Sequence, residues 1–208
     1  MLFSSLTFIF YFLLLCLVLY YVTPKKYLQL RNVILLVFSL LFYAWGEPKY
    51  IFLMLFTVFV SYIFGLLIHY FDHKQNKKMK LCSFVIVVIL IISSLLYFKY
   101  TNFFIESING WFKVNFEIKN IVLPIGISFY TFQILSYVID LYRNRIKVQK
   151  NFFNLALYIS FFPQLIAGPI VTYQSIEDQL TNRKETLEKI GEGLERFIIG
   201  LGKKSFNC

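Results

Sequence analysis

The chain has 208 residues and a formal net charge of +10; 58% of its residues are apolar, 20% aromatic and 15% charged. A soluble domain is nearer half apolar and about a quarter charged, so this surface suits lipid rather than water. The basic residues sit in short clusters between apolar runs and form no stripe, which argues against nucleic-acid binding and marks them as topology signals.

A membrane helix needs roughly 20 mainly apolar residues. The first such run, residues 3–22, lacks a basic start, exceeds a secretory apolar core in length and is followed by no small-residue cleavage site, so it reads as a retained first span. The second, 32–45, is short and would cross only with a thinned bilayer or a tilt. Gly46-Glu47-Pro48 then makes a tight break. Further segments follow at 50–70, 81–98, 121–141 and 152–171. Tyr20, Tyr21, Tyr43, Trp45 and Tyr50 gather at segment ends, as in an interfacial aromatic belt.

Loop charges alternate along the chain. Lys25, Lys26 and Arg31 follow the first segment, and Lys74, Lys77, Lys78 and Lys80 stand against Asp72 after the third. Arg143, Arg145, Lys147 and Lys150 follow the fifth. Between them, Glu47 offsets Lys49, and Glu106 and Glu117 face Lys99, Lys113 and Lys119. By the positive-inside rule, the odd-numbered loops are cytoplasmic and the N-terminus lies outside a cell membrane crossed several times.

After Thr172 the composition shifts, with six acidic and six basic residues in 177–208. Leu187, Ile190, Leu194, Phe197, Ile198 and Leu201 recur at helical spacing, with Glu188, Glu192, Glu195 and Arg196 elsewhere on the wheel. The region 177–204 reads as an amphipathic helix lying on the membrane or under a bundle. Lys203 and Lys204 suit its C-terminal dipole, while Gly191, Gly193, Gly200 and Gly202 make it depend on partners. The fold class is therefore an all-α polytopic helix bundle with five or six membrane segments, one domain over 1–208 with its membrane part in 1–171.

The fifth segment carries the most chemistry. Gly126, Tyr130, Gln133, Tyr137 and Asp140 follow helical spacings and share one face, which must turn to the bundle interior or a wet cavity. Tyr130, Gln133 and Tyr137 either bond neighbouring helices or line a substrate path. Asp140 and Arg143, three apart, pair at the cytoplasmic boundary. In the sixth segment, Pro163 and Gly168-Pro169 break the backbone ladder, giving a kinked or re-entrant segment with Gln164 at the break. His69 and His73 are solvated residues at a Lys-rich cytoplasmic loop rather than catalytic bases. Cys16, Cys82 and Cys208 lack metal-ligand spacing, and no nucleophile elbow, phosphate loop or carboxylate pair stands out.

Six motifs stand in order: MLFSSLTFIF at the start, LLFYAWGEPKY ending at Tyr50, YFKYTNFF at 97–104, LPIGISFYTFQILSYVIDLYR at 123–143, FFPQLIAGPIVTY at 161–173 and GLERFIIGLGKK at 193–204. Together they resemble the N-terminal part of the alginate O-acetyltransferase branch of the membrane-bound O-acyltransferases. The resemblance implies a multi-helix enzyme around a membrane tunnel, an acyl donor such as acetyl-CoA or an acyl carrier on the cytoplasmic side, and no bound cofactor or metal. It also implies a polysaccharide acceptor and an extracytoplasmic acetyl-handling partner. The tunnel candidates are Tyr130, Gln133, Tyr137, Asp140, Arg143 and Gln164. The family's central histidine lies beyond GLGKK, so no catalytic residue carries over, and this polypeptide alone is expected to be inactive. The alternatives are a truncated or split enzyme, or a small transporter subunit, though no two matching halves favour the last.

Overall fold

The computed structural model describes residues 5–112, 114, 121–165, 171–183 and 185–206, and among these the chain is all-α, with no strand. Helix α1 is Phe8–Val22, its first six residues, Phe8–Leu13, wound as a π-helix. It is followed by α2 (Leu28–Gly46), α3 (Ile51–His73), α4 (Lys77–Phe112), α5 (Ile127–Tyr142), α6 (Phe152–Ser160), α7 (Phe162–Leu165), α8 (Tyr173–Thr181) and α9 (Leu187–Phe206). Among the described residues three helices, α2, α3 and α4, are long and apolar enough to cross a membrane.

Several boundaries differ from the sequence reading for physical reasons. Helix α2 starts at Leu28 and has 19 residues, or about 28 Å at 1.5 Å per residue, so it needs no thinned bilayer. It gains its first turn because Arg31, expected in a solvated loop, is instead buried within the helix. Helix α4 has 36 residues, about 54 Å, well beyond the roughly 30 Å of hydrocarbon. Lys99 and Glu106, expected in a loop, lie on this helix. Helix α3 also runs past the predicted end at Tyr70, so that His73 lies in its last turn, one turn beyond His69.

Punctuation is local and chemical. Gln75 takes a left-handed φ of 54° after α3, and the Asn76 side chain accepts from the Met79 N–H at 3.2 Å to start α4. The Asn151 side chain caps α6, accepting from the N–H groups of Phe153 (2.9 Å) and Asn154 (3.4 Å). Helix α6 stops at Ser160, Phe161 turns out of helical geometry, and Pro163 follows in the first turn of α7. The expected kink of the sixth segment is thus visible at Phe161. The Gly168-Pro169 pair and Cys208 lie outside the described residues.

The core sits around α5 and α6. Helix α3 packs on α4 and α5, and α2 packs on α6. Every residue of α6 from Asn154 to Ser160 is buried, so this nine-residue helix lies inside the bundle and is too short to span by itself. Phe8, Phe12, Phe42 and Phe162 form an aromatic cluster that ties α1 to α2 and α7, with centroids 5.5–6.0 Å apart. Helix α9 forms as expected, but much of its apolar stripe, including Leu187, Leu194 and Ile198, is exposed. It faces α1 across an open apolar groove of 960 Å³.

Candidate functional site: a polar interior beside a small cavity

Helix α5 carries its polar residues inward, as the spacing requires. Its start is set by Gly126, whose φ of +77° is left-handed and whose missing Cβ lets the Leu165 carbonyl oxygen approach to 2.9 Å from where a Cβ would stand. From there Tyr130, Gln133 and Tyr137 are all buried. The Gln133 amide donates to the Tyr158 carbonyl at 2.8 Å and makes a longer contact, 3.5 Å, with Gln164 Oε1. Two of the predicted residues therefore meet.

Tyr137 takes part in a second chain of polar groups. Its hydroxyl accepts from the Gln149 backbone N–H at 3.2 Å, and the Gln149 amide donates to the Tyr173 hydroxyl at 2.9 Å. The Tyr173 ring lies 5.1 Å from that of Tyr137 and 5.3 Å from that of Tyr158. Tyr158 in turn donates to the Val171 carbonyl at 2.9 Å. Tyr130 is different: its buried hydroxyl, like that of Tyr43, has no hydrogen-bond partner among the described residues.

The remaining predicted residues stand apart. Asp140 pairs with Arg145 at 3.8 Å, and Arg143 is exposed at the C-cap of α5, so the expected Asp140–Arg143 pair is not made. The reason is the tight turn after α5, in which Asn144 adopts a left-handed φ of 57° and the Arg145 N–H bonds the Asp140 carbonyl at 2.9 Å. That turn brings Arg145, not Arg143, back over the carboxylate.

Beside Gln133 lies a cavity of 170 Å³ between α2, α6, α7 and α8. Leu35, Leu157, Ile176 and Leu180 give it apolar walls; Gln164, Gln179 and Arg183 supply polar groups. Arg183 is held by donating to the Tyr20 hydroxyl at 2.6 Å, to Asn32 Oδ1 at 3.2 Å and to the Gln179 carbonyl at 3.2 Å. Asn32 completes the lattice by donating to Asn154 Oδ1 (3.1 Å) and the Leu180 carbonyl (2.9 Å). Next to it, the buried Arg31 pairs with Glu185 at 2.8 Å and donates twice to the Thr23 carbonyl, at 3.0 and 2.6 Å. Glu185 also accepts from the Tyr20 hydroxyl.

Arg31, Asn32, Arg183 and Glu185 are absent from the sequence-derived candidates. A clue existed: Asn32, Ser39 and Tyr43 recur at spacings of seven and four, a second inward polar stripe on α2. Neither histidine lines this cavity, and no group of three or more metal-ligating side chains occurs among the described residues. The cavity therefore offers hydrogen-bond donors, amide carbonyls and one guanidinium, a set suited to holding a neutral carbonyl or hydroxyl compound.

Comparison with known proteins gives long, continuous matches. The chain is 40% identical over 99% of its length to a protein of Azotobacter vinelandii named alginate O-acetylase AlgI, covering 41% of that protein. It is 38% identical over 99% of its length to the Pseudomonas aeruginosa protein of the same name, covering 39% of it. A peptidoglycan O-acetyltransferase of Helicobacter pylori is 34% identical over 87% of the chain, with 38% of that protein covered. The chain thus spans about 40% of the length of the curated relatives it matches. No family model and no solved structure matches it.

Proposed function

Because this multi-pass membrane chain is homologous along nearly its whole length to the N-terminal part of the alginate O-acetylases, in the membrane-bound O-acyltransferase family, we propose that it forms part of a membrane O-acetyltransferase acting on a polysaccharide. The homology carries this reading. The relatives named for alginate and for peptidoglycan share one chemistry, acetylation of a glycan hydroxyl, and that is the reaction class assigned here.

Acetyl transfer to a hydroxyl requires a base for the hydroxyl proton and donors for the carbonyl oxygen, which gains charge in the transition state. The inner cavity supplies donors, Gln164 and Arg183, on elements fixed by buried hydrogen bonds. It supplies no base, and we assign that role to a residue other than those of this cavity. Tyr130, Gln133 and Tyr137 then support the wall of the acyl path, with Gln164 facing it. The donor, acetyl-CoA or an acyl carrier, approaches from the cytoplasmic side, and the acceptor or an acetyl-handling protein receives the group outside. The N-terminus lies outside the cell membrane in this scheme, and single-cysteine labelling at Gln75 tests it: this position should be sealed from impermeant reagents in intact cells.

The function itself is tested by replacing the gene with a Gln164→Leu variant and measuring alkali-releasable acetate on the cell-surface polysaccharide. Acetate should fall severalfold while membrane abundance of the protein is unchanged. Full acetylation by the variant would refute the site; wild-type acetylation after deletion of the gene would refute the function.

A further inference from the structure

A second cavity lies at the basic end of the bundle, where the last turns of α3 meet the α5–α6 connection. It measures 550 Å³, within the range of small-molecule sites, and shares no lining residue with the inner cavity. Its polar lining carries two ammonium groups, Lys147 and Lys150, and two imidazoles, His69 and His73, with Asp72 and Asn144. Its floor is apolar, formed by Ile68, Leu141 and Ile146, all buried.

Asp72, the one carboxylate in the lining, is already taken by Lys80, whose ammonium lies 2.6 Å away and also reaches Asn144 at 3.0 Å. Lys147 and Lys150 have no ion pair within 4.0 Å among the described residues. The Glu177 carboxylate on α8 lies within electrostatic reach of Lys147. The backbone carrying these lysines is fixed: Ile146 and Gln149 are buried, and Tyr62 donates to the Lys150 carbonyl at 2.7 Å. Burial of Ile146 and Gln149 leaves Lys147 and Lys150 exposed at the cavity. Opposite them the two imidazoles sit one turn apart, with ring centroids 4.6 Å apart.

We propose that this cavity binds an organic phosphate, with the phosphate groups held between Lys147, Lys150 and the His69–His73 pair and the body of the molecule on the apolar floor. Two ammonium groups that make no ion pair among the described residues, and two imidazole donors, over an apolar base suit a phosphorylated, partly apolar molecule better than a bare anion. The same chemistry is available from a soluble nucleotide or from an anionic phospholipid headgroup. The inference does not depend on the acetyltransferase reading.

The two histidines are the only ones in the chain, so a histidine-labelled protein purified with a histidine-free tag gives two imidazole spectra that report directly on the site. The full chain is placed in phosphatidylcholine nanodiscs and titrated with ADP and with inorganic pyrophosphate. ADP should shift both imidazole signals saturably, and pyrophosphate should bind more weakly because it leaves the floor empty. Lys147→Gln/Lys150→Gln should weaken ADP about tenfold, since two partly exposed charge contacts are worth about 1.4 kcal/mol together. Lys147→Arg/Lys150→Arg should retain binding, and Lys25→Gln/Lys26→Gln should leave it unchanged. Shifts produced by phosphatidylglycerol nanodiscs and not by ADP would assign the phosphate to lipid. Absence of shifts with both, or shifts indifferent to the Lys147/Lys150 pair, would overturn the proposal.

Discussion

Replacing Arg31 by methionine should release the segment between α8 and α9 from the bundle. The Arg31 side chain is 4% exposed and that of Glu185 13%, and their 2.8 Å contact is backed by two bonds from Arg31 to the Thr23 carbonyl. The guanidinium also lies 4.9 Å from the centre of the Tyr20 ring. Removing one partner of such a buried pair leaves the other charge uncompensated and costs about 3–5 kcal/mol, whereas replacing both partners by apolar groups is often near neutral. The loss falls on local opening around Arg183 and Glu185, because Tyr20, which holds both Arg183 and Glu185, sits in the same cluster as Arg31. At 1.4 kcal/mol per decade, a cost of about 3 kcal/mol raises the open population roughly a hundredfold. Trypsin cleavage after Arg183, followed in nanodiscs under conditions where closing outpaces cleavage, should quicken accordingly. Arg31→Met/Glu185→Met should recover much of the protection. Wild-type cleavage in Arg31→Met, or a double variant worse than the sum of the singles, would refute this account.

Gly126→Ala should lower the melting temperature measurably, since a left-handed non-glycine residue costs about 1–2 kcal/mol and the added Cβ would meet the Leu165 carbonyl oxygen at 2.9 Å. Tyr130→Phe should be neutral or stabilising in the same thermal assay, because the hydroxyl it removes is buried without a partner; such a group costs about 1–3 kcal/mol. Glu177→Gln reports on pH. Burial raises the Glu177 carboxyl above its ordinary value of 4.5, Asp178 adds to this, and Lys147 opposes it. The protonated form is favoured in the folded state, so its contribution is full below 4.5 and lost as pH rises through the raised folded value. The variant should therefore melt higher than wild type at alkaline pH and alike in acid; the reverse order would count against the assignment.

The sequence was informative where one physical rule dominated. The inward face of α5 followed from spacing alone, because polar groups at Tyr130, Gln133 and Tyr137 have nowhere else to go in hydrocarbon. The break near Pro163 followed from its missing N–H. Arg31 was misplaced because a charge at the edge of an apolar run reads as a loop charge, and its partner Glu185 is 154 residues away. Asp140 was matched to Arg143 on helical spacing, which ceased to apply once Asn144 turned left-handed. The basic-end cavity was illegible for a similar reason: His69 and Lys150 come together only when α3 packs beside the α5–α6 connection.

These long-range links bear on how the inner cavity is kept in shape. Helix α8 supplies Ile176, Gln179 and Leu180 to its wall, yet α8 is nine residues long and its surface is largely polar. A helix this short is not stable by itself. Its position rests on two groups of contacts: Tyr173 packed between Tyr137 and Tyr158 at one end, and the Arg183–Tyr20–Asn32 lattice with Arg31–Glu185 at the other. Both ends reach back to residues of α1, α2, α5 and α6. A change at Arg31 would therefore loosen the cavity wall without touching any group that lines it, and should weaken polysaccharide acetylation along with protection of Arg183. A variant that lost protection while keeping full acetylation would show that α8 is no part of the working wall.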